Sequence, residues 1–366
     1  MLSYLLKRLG LVIPTLIGIL TINFFIIQMA PGGPVEQFIA KMEGSGDMFM
    51  ERVGSSAGDF SAKAASSSGS DLRSNANQRI DPEILEAVKK LYGFDKPIGE
   101  RYVQMLKDFL SFDFGNSLFK ADSVTGLIVQ ALPVSISLGL WSTLLIYIVS
   151  IPLGMMRAMR ANSTFDVVSG SLVVMGSAIP GFLFAVLLIV LFAGGSYWQI
   201  FPLRGLTSLD PAQATWWEMT LDYAHHMVLP IISMTIGGFA GLTLLTRNSF
   251  LDELGKQYVV LARSKGLSER QVLFGHVFRN AMLIVISGFP GTFVRMFFAG
   301  SLLIETIFSL NGLGLLGFEA TMQRDYPVMF ATLYIFTLIG LLTSILGDLT
   351  MMLVDPRIDF TSRRKV

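Results

Sequence analysis

Long uncharged apolar runs are the feature that most limits how this chain can fold. Six of them extend for 20 residues or more with at most one charged residue: Leu9–Met29, Leu132–Met156, Val167–Gly194, Met227–Thr246, Ala281–Ile304 and Val328–Gly347. A helix of about 20 residues crosses the ~30 Å hydrocarbon core of a bilayer. A helix also satisfies its own backbone in lipid, and the runs lack the alternation of barrel strands. We therefore predict an all-α, polytopic membrane protein with six transmembrane helices.

The composition supports this class and excludes several others. Charged residues make up 15% of the chain and the mean hydropathy is +0.58, whereas an ordinary soluble domain holds about 25% charged residues. The 28 basic and 27 acidic residues nearly balance, which argues against a nucleic-acid partner. Without cysteine, the chain has no disulfide scaffold, thiolate metal site or cysteine nucleophile. The side chains of His225 and His226 would point about 100° apart on a helix, and the sequence offers no third ligand near them. We therefore predict no metal site.

We interpret the first apolar run as an uncleaved membrane helix and not as a cleaved signal peptide. It follows Lys7 and Arg8 and has 21 residues, which exceeds the 7–15 residues of a signal-peptide core. Pro31-Gly32-Gly33-Pro34 follows it in place of a small-residue cleavage site. We expect residues 1–29 to form an N-terminal transmembrane helix.

The distribution of lysine and arginine predicts the orientation. With the N-terminus in the cytoplasm, the inner loops and ends carry 14 of these residues, and the two short outer loops carry only Arg204 and Arg324. Positive charge concentrates on the cytoplasmic side of membrane proteins, while long loops cross largely regardless of charge. We therefore place both termini in the cytoplasm and the long segment 30–131 outside.

The chain divides into four parts on this reading. The outer segment 30–131 contains a Ser- and Gly-rich stretch, 41–79, that we expect to be a flexible insertion. Amphipathic helices are predicted over 81–110, the first opened by Asp81 and Pro82 and the second covering Ile98 to Leu110. A five-helix core, 132–354, and a basic cytoplasmic tail, 355–366, complete the chain.

The inner loop 247–280, between the fourth and fifth runs, is long and highly charged. It contains Tyr258-Val-Val-Leu-Ala-Arg-Ser-Lys-Gly266. Gly266 divides two short predicted helices, and Ser268 caps the second. Apolar Tyr258, Leu261 and Leu267 among basic residues suit the groove of a partner protein. A solvated basic loop lying against lipid headgroups is the alternative, and the residue pattern alone leaves both open.

The spacing within this loop resembles a known family. Ala262 precedes Gly266 by four residues, and His276 and then Arg279-Asn280 follow. This arrangement is similar to the signature loop of ATP-binding-cassette (ABC) importer permeases. Further motifs in the same order match the dipeptide, oligopeptide and nickel branch, most nearly the first permease subunit of microcin C and oligopeptide importers. They are Leu91–Pro97, Phe112–Ser117, Glu305–Ser309 and Arg324–Val328.

The resemblance implies a type I ABC importer permease fold in the bacterial inner membrane. It implies that the loop docks into an ATPase subunit through Tyr258, Leu261, Ala262, Arg263, Gly266, His276, Arg279 and Asn280. The sequence has no G-x-x-x-x-G-K-[ST] phosphate loop, so we expect no catalytic residue and no cofactor on this chain. ATP and Mg would reside on two ABC ATPase subunits or one fused ATPase. A second homologous permease and a periplasmic peptide-binding protein are the other expected partners.

Two charged residues, one within the fifth run and one at its outer end, are candidate translocation-pathway residues. Arg295 stands near the middle of the run, and a central arginine normally faces a cavity or a partner; an internal ion pair or a permease–permease contact is the alternative. Glu305 lies at the outer end, as a structural or gating residue or as a solvated helix end. An ion-coupled secondary transporter or an intramembrane enzyme would need acidic relays or a nucleophile with a base, which these spans do not supply.

Overall fold

A computed structural model of the protein describes residues 2–29, 96–194, 197–210, 214–298 and 301–354. Within these ranges the side chains of residues 2–5, 27–29, 295–298, 301 and 353–354 are not described. The expected Ser- and Gly-rich insertion, the first amphipathic stretch, which begins at Asp81, and the basic tail lie outside the described residues.

The described part of the chain is nearly all helix. The helices are α1 (Leu2–Met29), α2 (Ile98–Leu110), α3 (Val124–Met159), α4 (Thr164–Ser177), α5 (Gly181–Phe192), α6 (Trp216–Thr235), α7 (Phe239–Leu254), α8 (Gln257–Ser264), α9 (Glu269–Val272), α10 (Phe278–Ser287), α11 (Phe289–Phe298), α12 (Ser301–Ile307), α13 (Leu313–Gln323) and α14 (Tyr326–Val354). A π-helical turn, Leu273–Val277, joins α9 to α10.

The helices confirm the predicted membrane fold and add bends that the apolar runs did not reveal. Four straight stretches are long and apolar enough to cross a bilayer: 6–26, 124–159, 269–294 and 326–352. Two helix pairs pass the same test together, α4 with α5 and α6 with α7, and are bent by 91° and 63°. Counting each bent pair as one span gives six.

Each bend coincides with a residue that weakens a helix. Pro180 immediately precedes α5, and a proline there removes a backbone N–H and disfavours helix at the preceding residue. Gly237 and Gly238 stand between α6 and α7, where glycine lowers helix stability by roughly 1 kcal/mol relative to alanine. The third and fourth predicted runs are therefore broken helices and not the continuous ones that their hydropathy indicated.

Helix α3 is the central element, packing against α6, α7 and α11. At Gly154 of α3, an added Cβ would lie 2.7 Å from the Cβ of Thr246 and 2.8 Å from the carbonyl oxygen of Thr243, both in α7. The Ser150 hydroxyl also donates to the carbonyl of Phe239 over 3.4 Å. The pairs 150–239 and 154–243 run in the same chain direction, so α3 and α7 are parallel and in close backbone contact.

Polar clusters near both ends of the apolar run 132–156 in α3 mark the limits of its apolar body. At one end Ser135 donates to Glu305 over 2.9 Å, and at the other Arg157 pairs with Asp166 over 3.0 Å. Ser135 and Arg157 are 22 residues apart, which corresponds to roughly 33 Å of helix and matches the hydrocarbon core. We call the end of the bundle with Arg157 the loop end, because α7 finishes there and the segment 255–272 comes next in the chain. We call the end with Glu305 the opposite end.

Candidate coupling surface

The loop between α7 and α10 forms a compact corner of two short helices. Helix α8 ends where Gly266 adopts a φ of +82°, a conformation that favours glycine. Ser268 then begins α9 with a capping box, in which its backbone N–H donates to the Gln271 side chain over 2.9 Å. The structure thus confirms that Gly266 divides two helices and that Ser268 opens the second.

Part of this corner is fixed to the membrane bundle by apolar contacts. Val259 is fully buried and Ala262 is nearly so, one turn apart on the inner face of α8. They belong to a core cluster with Phe250, Val272 and Val277, against which Tyr258 and Leu267 are half-buried. Displacing α8 would therefore expose a shared apolar core, so the corner is packed as one unit with α7 and α10.

A hydrogen-bonded brace links α8 to the helices on either side. The Tyr258 hydroxyl donates to Glu253 of α7 over 2.6 Å, and the Asn280 amide of α10 donates to Tyr258 over 3.3 Å. Lys256 also pairs with Glu253. Burial raises the pKa of the Tyr258 phenol, and its bond to Glu253 raises it further, so the hydroxyl keeps its proton at physiological pH. The brace holds the two ends of the loop together.

A second brace spans the turn at Gly266. The Arg263 guanidinium donates twice to Glu269, over 2.8 and 3.0 Å, and this bond raises the pKa of Arg263. A bidentate arginine–carboxylate pair fixes orientation better than a single contact. It orients α8 and α9 relative to one another across the glycine.

The outward face of the corner carries exposed apolar side chains among polar and basic ones, and the rest of the described chain does not cover it. Leu261 is 57% exposed, and Val260 beside it and Phe274 in the π turn are also exposed. Ser268, Arg270, Gln271, Phe274, Gly275 and His276 line a hollow of about 750 Å³. Exposed apolar side chains beside an open hollow are typical of a protein-binding surface. We call Val260, Leu261, Phe274 and this hollow the coupling surface.

The residues predicted to act in the loop divide into two groups. Leu261, Arg263, Gly266, His276, Arg279 and Asn280 are exposed, whereas Ala262 is buried and Tyr258 is half-buried. The structure therefore brings Tyr258 and Asn280 together as a brace and places Leu261 and His276 on the outward face. Ala262 packs inward, where a small side chain is needed to seat α8.

The structure describes Arg295 and Glu305, the candidate pathway residues, to different extents. Arg295 is within α11, and its side chain is outside the described residues. Glu305 is fully buried; it accepts from Ser135 and, over 2.7 Å, from the backbone N–H of Leu315 in the first turn of α13. Ser135 in turn accepts from the N–H of Leu313 over 2.8 Å. Glu305 is thus a buried helix cap and not a solvated helix end.

Two polar groupings escaped the sequence reasoning. At the loop end Asp166 pairs with Arg157 and, over 2.5 Å, with Arg247. Within α6 the His226 ring bonds to the Ser208 hydroxyl over 2.9 Å and to the carbonyl of Asp222 over 2.8 Å. In the sequence, the one sign of the Asp166 cluster is that Asp166 stands directly before an apolar run. For His226 the signal was its spacing of four from Asp222.

Comparison with known proteins identifies the family. Residues 150–360 match the family described as binding-protein-dependent transport system inner membrane component. The Escherichia coli O157:H7 inner membrane ABC transporter permease protein YejB is 58% identical over 99% of this chain and 100% of its own length. The Agrobacterium fabrum peptidoglycan transport system permease protein YejB is 52% identical over 99% of both chains.

More distant similarities cover either most or about two thirds of the chain. The Bacillus subtilis oligopeptide transport system permease protein AppB is 32% identical over 98% of this chain and 100% of its own. An inward-facing structure of the MetNI methionine ABC transporter aligns with 63% of this chain and 96% of its own, with a TM-score of 0.49 and 16% identity. Because full-length relatives above 50% identity and the family match agree, this chain belongs to the family of ABC importer permeases and is a multi-pass protein of the inner membrane.

Proposed function

We propose that this chain is one of two permease subunits of an ATP-driven peptide importer, and that it forms half of the translocation pathway. The coupling surface is the observation that carries the proposal: an exposed apolar patch sits on a corner that is packed and braced onto the bundle. A patch that moves rigidly with α7 and α10 suits the transfer of force from a docked protein. A loop resting on lipid would need neither the buried Val259 nor the Tyr258 brace.

The docked protein that we propose is an ABC ATPase. This chain has no phosphate loop, so ATP and Mg belong to two ATPase subunits or to one fused ATPase. ATP-driven closure would draw two coupling surfaces together, and rigid-body motion would open the pathway alternately to either side. A second, homologous permease supplies the other surface.

The names of the relatives support a peptide as the substrate. They transport oligopeptides in Bacillus subtilis, dipeptides in the same organism and peptidoglycan in Agrobacterium fabrum. We infer that the substrate contains peptide bonds, and that a periplasmic peptide-binding protein delivers it to the opposite end of the bundle. From the motif resemblance we further propose that the complex is a microcin C and oligopeptide importer. This proposal predicts that cells lacking this chain resist microcin C.

Leu261→Asp tests the ATPase contact directly. A charge in the centre of an apolar interface removes a contact worth about 2 kcal/mol or more, so ATPase copurification should fall at least about 30-fold. Met322→Asp is the matched control, because Met322 is 70% exposed in α13 at the opposite end. It makes the same chemical change away from the coupling surface and should leave copurification intact.

Two results would contradict the proposal. One is full ATPase recovery with Leu261→Asp in a complex that still hydrolyses ATP in step with uptake. The other is peptide uptake by the purified chain in vesicles without any ATPase, which would favour an ion-coupled secondary transporter.

A further inference from the structure

A pocket at the loop end lies outside the coupling surface and outside the function proposed above. It has a volume of about 430 Å³ and opens between α3, α4 and α7. Its lining is Arg157, Asn162, Asp166, Val167, Gly170, Ser171, Val174 and Arg247. Polar groups form one part of this lining and apolar side chains the other.

The polar part of the pocket carries a net positive charge. Asp166 is almost completely buried, and its carboxylate accepts from Arg247 over 2.8 and 2.5 Å and from the backbone N–H of Asn162 over 3.2 Å. The same carboxylate pairs with Nε of Arg157 over 3.0 Å. One carboxylate against two guanidinium groups leaves a charge of about +1 facing the pocket.

The Arg157 guanidinium has N–H donors that no acceptor in the described part of the chain uses. Its side chain is only 11% exposed, and within the described part of the chain its two terminal nitrogens make no hydrogen bond. An added Cβ at Gly170 would lie 2.4 Å from Nη2 of Arg157, so this glycine gives the guanidinium room to lie against α4. Poorly solvated N–H groups that lack a partner are costly, and an anion in the pocket would satisfy them.

The apolar part of the pocket indicates that the ligand also has an apolar portion. Val167, Ser171 and Val174 follow one another at helical spacing on α4, and Val167 and Val174 are both 62% exposed. They extend from Arg157 toward the apolar body of the bundle, where the surroundings are hydrocarbon. The ligand is therefore negatively charged at one end and apolar at the other.

We propose that this pocket binds an anionic phospholipid, with its phosphate on the Arg157 terminal nitrogens and an acyl chain along Val167 and Val174. Basic pockets between membrane helices are known to hold anionic headgroups. A bound lipid would complete the hydrogen bonding of Arg157 and tie α3 to α4.

Native mass spectrometry of the full-length permease with its copurifying subunits tests this. Phosphatidylglycerol and phosphatidylcholine with the same acyl chains are titrated into the detergent-solubilised protein, and inorganic phosphate is added as a competitor at the same concentration. We expect phosphatidylglycerol to bind preferentially and phosphate not to displace it. Arg157→Gln should weaken phosphatidylglycerol binding about fivefold, the loss of one cationic contact, while Asp166 keeps its pair with Arg247.

Two further variants separate this site from general surface charge. Ser171→Phe fills the pocket and leaves every charge in place, so it should also weaken phosphatidylglycerol binding. Arg160→Gln is the matched control, because Arg160 lies 5.6 Å from the Phe165 ring centroid and does not line the pocket. Equal binding of both lipids, displacement by free phosphate, or unchanged phosphatidylglycerol binding by both Arg157→Gln and Ser171→Phe would overturn the proposal.

Discussion

Glu305 shows how one buried carboxylate can hold three parts of this chain together. It lies in α12, receives a hydrogen bond from Ser135 of α3 and caps the first turn of α13 through the N–H of Leu315. Gly312 passes so close that an added Cβ would lie 2.2 Å from a carboxylate oxygen. A side chain in this position stabilises the opposite end of the bundle whatever it contributes to transport.

Glu305→Ala should destabilise the protein by about 3 kcal/mol, because it leaves the Leu315 N–H and the Ser135 hydroxyl buried without their acceptor. The measurement is thermal unfolding of the purified protein in detergent. Glu319→Ala is the matched control, since Glu319 pairs with Lys120 on the surface with both side chains 40% exposed. Loss of that pair should cost less than about 1 kcal/mol.

The same pair of variants separates a structural role of Glu305 from a pathway role. A structural role predicts less folded protein and near-normal uptake per folded molecule. Unchanged unfolding temperature together with lost uptake would make Glu305 a pathway residue instead.

At the scale of helices, local signals in the sequence were reliable, and the angles at which broken helices bend were not predictable. Ile98–Leu110 and the corner at Gly266 follow from spacing, caps and glycine, which act within a few residues. The bend at Pro180 could not be read from hydropathy, because the apolar run continues through it. Its angle of 91° depends on what α4 and α5 pack against.

Close packing of α3 on α7 gives a prediction for Gly154. Gly154→Ala places a methyl group 2.8 Å from the backbone carbonyl of Thr243, so the two helices must separate. We expect a loss of about 1–3 kcal/mol, as for other overpacked sites. It is measured by thermal unfolding and by the amount of folded protein recovered.

Gly241→Ala is the control for the Gly154 substitution. Gly241 also lies in this helix pair, in α7, but an added Cβ there meets nothing within 4 Å. Because alanine favours helix by roughly 1 kcal/mol over glycine, Gly241→Ala should be neutral or stabilising. Equal unfolding temperatures for the two variants would show that α3 and α7 separate at no cost.

At the scale of the whole molecule, the contacts that sequence reasoning missed join residues far apart in the chain. Asp166 meets Arg247, 81 residues away, and Glu305 meets Ser135, 170 residues away. No periodicity or motif encodes such pairs, because they exist only once the helices have assembled. Their positions nevertheless agree with the predicted membrane limits, since one cluster lies near each end of the apolar run 132–156 in α3.

The orientation of these two ends is a prediction that the chain itself makes easy to test. It contains no cysteine, so single substitutions report accessibility without background. We expect Met322→Cys, at the opposite end, to react with a membrane-impermeant maleimide in cells whose outer membrane alone is permeabilised. Lys265→Cys, in the loop, should react only after the inner membrane is opened, because the 14 lysines and arginines assigned to the loop side outnumber the two in the short loops of the other side, and positive charge favours the cytoplasm. Both residues are exposed in this chain, so a reversed labelling pattern would mean an inverted topology. It would also remove the ATPase from reach of the coupling surface.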